Sequence, residues 1–383
     1  MVKRMNQHQF IPPGSWLGML GGGQLGRMFI ESARRMGYFT LVLDPDSKSP
    51  AGQIADRHLQ ADYVDQTAWQ EMAQTCQAIT TEFENVPAEA LSYLANHVRV
   101  CPSANAVSIA QNRLNEKHFF SQIGLSPVPY ADVIQAEDIT EEKIKHLLPG
   151  ILKISRNGYD GKGQMTVSSL DEVYSAFESF GNVACVLEKR VEFVQEVSII
   201  AARGLLGDCV FYPLSENIHR NGILDTSMVP ARVSQAVVNQ VNEAARQILT
   251  HLDYVGVLGI EFFVMKDQTI YVNEMAPRPH NSGHYTIDAC PHSQFDQQVR
   301  ALVGTTLAPA IQTQPVVMIN LLGDLWPTLS HRWNHILAAD NTKLYLYGKE
   351  SPRTGRKMGH FTCMANTIEK ALEQAVDIQN SIK

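Results

Sequence analysis

A short apolar run, Trp16 to Leu20, leads straight into Gly21-Gly22-Gly23-Gln24-Leu25-Gly26. This is a G-x-G-x-x-G pattern opening a helix, expected over Arg27 to Met36, and a second apolar run, Phe39 to Leu43, ends at Asp44. Strand, glycine turn, helix and strand in that order point to a doubly wound α/β layer. The glycines let backbone N–H groups at the helix start come close to an anion. On its own the pattern admits a nicotinamide dinucleotide with Asp44 on the ribose, another phosphate ligand, or none. A further β-like step, Ala78 to Thr81, runs into Glu82-Phe83-Glu84-Asn85. Its acids fall beyond the strand's carboxyl end, where open α/β sheets place ligand contacts. Residues 1–115 are therefore expected to form a Rossmann-like domain, with residues 1–13 a mobile extension ending at Pro12-Pro13.

A chain of 383 residues exceeds one ordinary core, so two or three domains are expected. The second, 116–315, opens near Arg113-Leu114-Asn115-Glu116-Lys117 with a helix. Ile151 to Ser155 reads as a strand carrying Lys153. The loop that follows, through Gly158-Tyr159-Asp160-Gly161-Lys162-Gly163, is either a cationic flap over phosphates or a long glycine-rich hairpin. No G-x-x-x-x-G-K-[ST] pattern occurs. Ala184 to Leu187 is an apolar strand entering Glu188-Lys189-Arg190-Val191, and Glu196 to Ile200 is another. Val233 to Leu252 is a helix whose stripe Val237, Val241, Ala244, Ala245 and Ile248 belongs in a core.

The densest chemistry lies late in this unit. Two β-like runs, Ile260 to Met265 and Thr269 to Asn273, precede Asn273-Glu274-Met275-Ala276-Pro277-Arg278-Pro279-His280-Asn281-Ser282-Gly283-His284. If Asp267-Gln268 form a two-residue loop, Lys266 pairs with Thr269 and Glu261 lies opposite Glu274; a longer loop would shift this register. Facing carboxylates repel unless a cation sits between them, and their oxygens suit Mg²⁺. The bland alternative is two solvated strand-end glutamates. His280 and His284 share i,i+4 spacing, but Pro279 and Gly283 argue against a zinc-binding helix.

A third unit, 316–383, begins with the strand Val316 to Leu322 and carries Lys349, Arg353, Arg356 and Lys357 among Gly348, Gly355 and Gly359. The cluster is either a solvated basic turn or an anion grip. The formal net charge of −7 makes non-specific nucleic-acid binding unexpected. Six cysteines without C-x-x-C spacing read as buried thiols in a reducing compartment. No apolar run is long enough to cross a bilayer, and the polar start lacks a signal-peptide core, so the cytoplasm is expected.

Four motifs in order carry a family resemblance: Gly22-Gly23-Gln24-Leu25-Gly26-Arg27-Met28, Gly158 through Gln164, Asn273-Glu274 through His284, and Gly355-Arg356-Lys357-Met358-Gly359-His360. Between about residues 15 and 365 the chain resembles the ATP-grasp superfamily, and within it the N5-carboxyaminoimidazole ribonucleotide synthases of purine biosynthesis. The resemblance implies an α/β and α+β architecture: a Rossmann-like domain, a central ATP-grasp domain and a small C-terminal domain. It implies ATP and Mg²⁺ without biotin, bicarbonate and aminoimidazole ribonucleotide as substrates, a homodimer, and no nucleic-acid or membrane partner. ATP would meet Arg113, Lys153, the 158–164 flap, Glu188 to Val191 at the adenine, Glu196 at the ribose, His219, Asn273 and Glu274, with Glu261 and Glu274 on the metal. The ribonucleotide would meet Gln24, Leu25, Glu84, Asn281, Lys349, Arg356 and Lys357. Lys153, Asp160, Arg278 and His280 would serve catalysis, the last two holding bicarbonate. Ala276 stands where some ATP-grasp ligases carry a metal-binding asparagine, which leaves a third metal contact undefined. The nearest alternative is a formate-dependent glycinamide ribonucleotide transformylase; a nicotinamide oxidoreductase is more remote.

Overall fold

The computed structural model describes residues 9–156, 158, 163–329 and 332–383. The first sheet is parallel, in the order β3-β2-β1-β4-β5: β1 Trp16–Leu20, β2 Phe39–Leu43, β3 Arg57–Leu59, β4 Ala78–Thr81 and β5 Arg99–Val100. The expected bounds of β1, β2 and β4 hold: β1 ends at the glycine turn, β2 at Asp44 and β4 at Glu82. The helix after β1 spans Gln24–Arg35, three residues earlier than its sequence suggests. Gly23, its N-cap, has no side chain to accept the first N–H groups. The acceptor comes from Glu82, across the sheet.

Residues 9–13 are not a loose extension. Ile11 is buried, its N–H donates to Val303 O at 2.9 Å, and its carbonyl accepts from Tyr38 Oη at 2.8 Å. Arg99 also donates to Gln9 O. A single isoleucine side chain, worth roughly 1.5–3 kcal/mol when fully buried, suffices to anchor so short a segment.

A second, antiparallel sheet has the order β6-β9-β7-β8, from β6 Tyr130–Val133, β7 Gly150–Ile154, β8 Gln164–Val167 and β9 Cys185–Lys189. The largest sheet contains β10 Gln195–Arg203, β11 Cys209–Phe211, β12 Ser215–Arg220, β13 Ile223–Val229, β14 Gly256–Val264, β15 Ile270–Ala276, β16 Val316–Leu322, β17 Thr342–Leu346 and β18 Lys357–Met364. Its order is β15-β14-β10-β12-β13-β16-β18-β17, with β11 beside β10. Strand β10 is buried on both faces from Val197 to Ala202, which fits its mostly apolar residues there. Val197, Ile199 and Ala201 pack under the helix Gln235–His251, whose stripe Val237, Val241, Ala244, Ala245 and Ile248 is buried as expected. Ile200 and Ala202 point the other way, toward Tyr285 and Ala289. Strand β16 pairs with β13, Val316 opposite Val229, so the C-terminal strands extend the central sheet. All six cysteines are free thiols; Cys209 is half-buried and the rest are buried. No helix among the described residues is long and apolar enough to cross a membrane.

Candidate active site

A cavity of about 630 Å³ lies among the three sheets. Of the residues singled out in the sequence, Gln24, Leu25, Glu84, Arg113, Lys153, Gly158, Gln164, Glu196, His219, Glu261, Asn273, Glu274, Arg278, His280, Asn281, Lys349 and Lys357 line it. Residues from all three sections of the chain thus share one space. Tyr159, Asp160, Gly161 and Lys162 lie outside the described residues, while Gly163 accepts the Ile154 N–H as the second strand begins. Glu188, Lys189, Arg190, Val191 and Arg356 are not among the described lining residues. The N–H groups of Lys189 and Arg190 are already bonded to Pro129 O and Pro149 O. The Arg356 guanidinium donates to Ser351 O at 2.7 Å within its own turn.

Glu261 and Glu274 are direct partners across β14 and β15, as the sequence suggests, but by a different route. Met265 pairs with Thr269, so the hairpin loop has three residues, Lys266-Asp267-Gln268, with Gln268 left-handed at φ 67°. That is a three-residue hairpin rather than the expected two-residue loop. It shifts the register by one, and an irregularity between Glu261 and Phe262 shifts it back: Phe262 pairs with Val272, Glu261 with Glu274, and Asn273 is the extra residue. Burial and the Glu274 carboxylate push the pKa of Glu261 up. Burial also opposes ionisation of Glu274, but Arg113, 3.1 Å away, and Lys153 outweigh it and hold its pKa low. One charged and one strained carboxylate, with the Asn273 amide 3.5 Å from Glu261, form an oxygen-rich pair that fits a hard divalent cation.

The glycine turn, whose pattern admits a dinucleotide, another phosphate ligand or none, holds the protein's own carboxylate. Glu82 takes the N–H of Gly23 through Oε1 and that of Gly26 through Oε2, the latter at 2.7 Å. Asp44 takes the Gly22 N–H at 2.7 Å and the Tyr63 hydroxyl at 2.5 Å. A Cβ on Gly23 would come within 2.5 Å of Glu82 Oε1, so this glycine is required by the protein's own carboxylate. The anion position at the helix start is therefore filled internally and Asp44 is committed to the turn, which leaves no place for a dinucleotide pyrophosphate or its ribose. Gln24 and Leu25, on the same turn, face the cavity.

Opposite them stands a basic wall. Lys349 Nζ donates to Gln24 Oε1 and, at 2.7 Å, to Lys357 O. Asn281 is held by a reciprocal amide pair with Asn320, at 2.6 and 3.1 Å. Arg278 forms a two-point ion pair with Glu84, Nε to Oε2 at 2.7 Å and Nη2 to Oε1 at 3.2 Å. Burial opposes the Glu84 charge, yet Arg278 brings its pKa to about 2. Burial, then the Arg278 charge, pushes His280 down to about 3, so its imidazole is neutral at physiological pH. Its Nδ1 is 2.9 Å from Ser282 Oγ and its Nε2 is 3.6 Å from Glu261. His219 Nδ1 meets Glu196 at 2.9 Å, joining two residues expected near the nucleotide.

Several participants were not singled out in the sequence. Lys117, 1% exposed, is 3.0 Å from Glu188 Oε1, and Lys153 is 2.8 Å from Glu188 Oε2. The Glu188 carboxylate thus lies between two lysines. Phe193 stacks on Phe263 with ring centres 4.6 Å apart, giving the cavity an apolar edge. Glu116 also lines the cavity, with burial and Glu274 raising its pKa to about 8. No local pattern distinguishes these residues, whose partners are far away in sequence.

Comparison with known proteins places this geometry. The ribonucleotide synthetase preATP-grasp domain matches residues 15–111, the ATP-grasp domain 118–295, and the phosphoribosylaminoimidazole carboxylase C-terminal domain 316–374. The N5-carboxyaminoimidazole ribonucleotide synthase of Brucella melitensis is 45% identical over 354 residues, 92% of this chain and 97% of that protein. The chain belongs to the N5-carboxyaminoimidazole ribonucleotide synthase family. An ADP complex of a synthase of this family superimposes with a TM-score of 0.92 at 40% identity, covering 97% of this chain and 98% of the other. The Aspergillus clavatus synthase, solved with ADP and 5-aminoimidazole ribonucleotide, gives 0.86 at 30% identity, covering 98% and 99%. As a synthase of this family, the chain is an ATP-dependent ligase that carboxylates aminoimidazole ribonucleotide to N5-carboxyaminoimidazole ribonucleotide in purine biosynthesis. The ATP-grasp architecture expected from the sequence is the one found.

Proposed function

We propose that the chain activates bicarbonate with ATP and delivers the carboxyl group to aminoimidazole ribonucleotide inside this single cavity. The observation that carries the proposal is the shared space itself. Lys153, Arg113 and the facing Glu261 and Glu274 line it together with Gln24, Asn281, Lys349 and Lys357. Bicarbonate is a poor electrophile because its leaving group is hydroxide or oxide. Attack of a bicarbonate oxygen on the γ-phosphorus of ATP breaks the bond to ADP and yields carboxyphosphate. The substrate's amino nitrogen then attacks the carboxyl carbon, or CO₂ released from it, and phosphate leaves while the nitrogen gives up a proton.

In this proposal Arg113 and Lys153 stabilise charge on the phosphoryl group, since positioning and electrostatics dominate such transfers. Glu261 and Glu274 would hold Mg²⁺, with Asn273 beside them. When bound, the ion would neutralise phosphate charge and fix the orientation of the nucleotide. Arg278 keeps N–H groups beyond its Glu84 pair, and neutral His280 offers a hydrogen-bonding imidazole; together they suit bicarbonate. Phosphate release from ATP with bicarbonate, measured with and without aminoimidazole ribonucleotide, tests the scheme. Release that never depends on the ribonucleotide would overturn coupling within one cavity.

For the ribonucleotide's 5′-phosphate we assign Lys349 and Lys357, which line the cavity, and Arg356, next to Lys357 in the chain, whose guanidinium would exchange its Ser351 O contact for the phosphate. Arg356→Ala should raise the KM for ribonucleotide about ten- to a hundredfold, the worth of one lost charge-assisted contact, and leave the KM for ATP unchanged. Arg356→Lys should recover only part of this, because an ammonium lacks the planar fork. Steady-state kinetics decide: a change confined to ATP, or none, refutes the assignment.

No Met-Lys-Met biotin acceptor occurs in the sequence, and the described residues contain no cluster of three or more metal-ligating side chains. Activity is therefore expected to survive selective zinc removal with magnesium kept saturating, and to be indifferent to avidin. Loss of turnover in either assay would contradict this.

A further inference from the structure

One helix, Arg113–Gln122, presents Arg113, Glu116 and Lys117 to the bulge in β15, and spacings of three and four put these side chains on one face. Arg113 Nη1 donates to the Glu274 carboxylate at 3.1 Å. Glu116 Oε1 accepts the main-chain N–H of Met275, the residue after Glu274, at 2.7 Å. Lys117 Nζ donates to the carbonyl of Asn273, the residue before it, at 3.3 Å. Glu116 is 3% exposed and Lys117 1%. A bulge leaves main-chain groups of its extra residue outside the ladder, and a buried group without a partner is costly. Here the helix supplies partners on both sides of Glu274. Without them the extra residue could migrate along the strand, and a one-residue slip would turn Glu274 to the other face of the sheet.

We propose that Glu116 and Lys117 are positioning residues that lock the bulge at Asn273 and so keep Glu274 opposite Glu261, with both carboxylates directed at a magnesium–nucleotide complex. The inference rests on the proposed role of Glu261 and Glu274 toward Mg²⁺. Neither Glu116 nor Lys117 needs to touch the ion; their hydrogen bonds fix the strand that carries its ligand.

Calorimetric titration of the full chain with ADP, in Mg²⁺ and in EDTA, tests this without turnover. In the unmodified protein Mg²⁺ should tighten ADP binding about tenfold or more. Absence of that gain would overturn the magnesium role itself, and the inference with it. Glu116→Ala should bring the ratio of the two dissociation constants to within about twofold of unity, while ADP affinity in EDTA changes less than about threefold. A persistent gain, or equal weakening under both conditions, would overturn the inference alone. Glu116→Gln keeps an acceptor for the Met275 N–H, so its ratio should stay within about threefold of the unmodified value. A larger change in the glutamine variant would mean that charge, not register, is what Glu116 provides. If the alanine variant does not fold, Lys117→Met, which removes the donor to the Asn273 carbonyl, decides instead: a ratio within about twofold of unity supports the lock and a persistent gain overturns it.

Discussion

Replacing Glu274 with glutamine is expected to lower ATP-dependent turnover by roughly two to three orders of magnitude, the scale of losing one principal electrostatic contact to a transition state. The fold should survive. Glu274 is partly exposed and sits opposite Glu261, so the substitution removes a like-charge repulsion at the same time as the ion pair with Arg113. With the repulsion gone, Glu261 loses the second-largest cause of its raised pKa and ionises more readily. One anionic and one neutral amide ligand would remain for a hard cation, which an amide serves poorly. Phosphate release and a thermal melt on the same preparation separate the two effects. Near-normal turnover at ordinary magnesium would mean that the Glu261–Glu274 pair is not where the metal is held.

Glu188→Ala should have the largest effect on stability. Its carboxylate sits between Lys117 and Lys153 with only 4% of the side chain exposed. Removing it leaves two cations without their shared partner, a type of loss that costs about 3–5 kcal/mol. Burial alone would raise the Glu188 pKa, but the two lysines bring it down to about 2. Because the folded value lies below the unfolded one, this group stabilises the fold fully above an unfolded pKa of about 4.5. The contribution is lost as pH falls through the folded value near 2. The difference corresponds to about 3 kcal/mol, of the same order as the mutational loss. Denaturant midpoints at pH 7 should therefore fall clearly in the variant, and its stability should decline less steeply than the unmodified protein's below pH 4.5. Equal midpoints at pH 7 would show that the lysines find other partners. Turnover should fall too, since Lys153 would lose the contact that fixes its ammonium beside the cavity.

The hairpin shows how a correct inference can rest on an incomplete cause. Opposition of Glu261 and Glu274 follows from a two-residue loop, and it also follows from a three-residue loop with one extra residue downstream. Gln268 adopts the left-handed conformation although it is not a glycine, so the longer loop had no local signature. Nor did the bulge, because its partners on the helix Arg113–Gln122 are 156 and 159 residues away. Adjacent glutamate and lysine on a helix ordinarily read as a solvated face, and here both are buried. The glycine turn left its occupant open. Its spacing is that of a phosphate cradle, but the anion it holds is Glu82, 56 and 59 residues along the chain.

What the sequence determined by itself is whatever depends on neighbours along the chain. Strands β1, β2 and β16 are largely apolar runs with polar or glycine residues at their ends, and the helix Gln235–His251 carries its buried stripe at helical spacing. The late polar segment also announced itself, because so many ionisable groups cannot be buried without a task. Tertiary structure decided which charged and polar groups meet. Arg278 pairs with Glu84, Glu188 with Lys117 and Lys153, and Lys349 with Gln24, across separations from 35 to 325 residues. Hydrophobic spacing repeats locally and so leaves a local signal. An ion pair or a bulge leaves none, because its free energy exists only once distant segments have already been brought together.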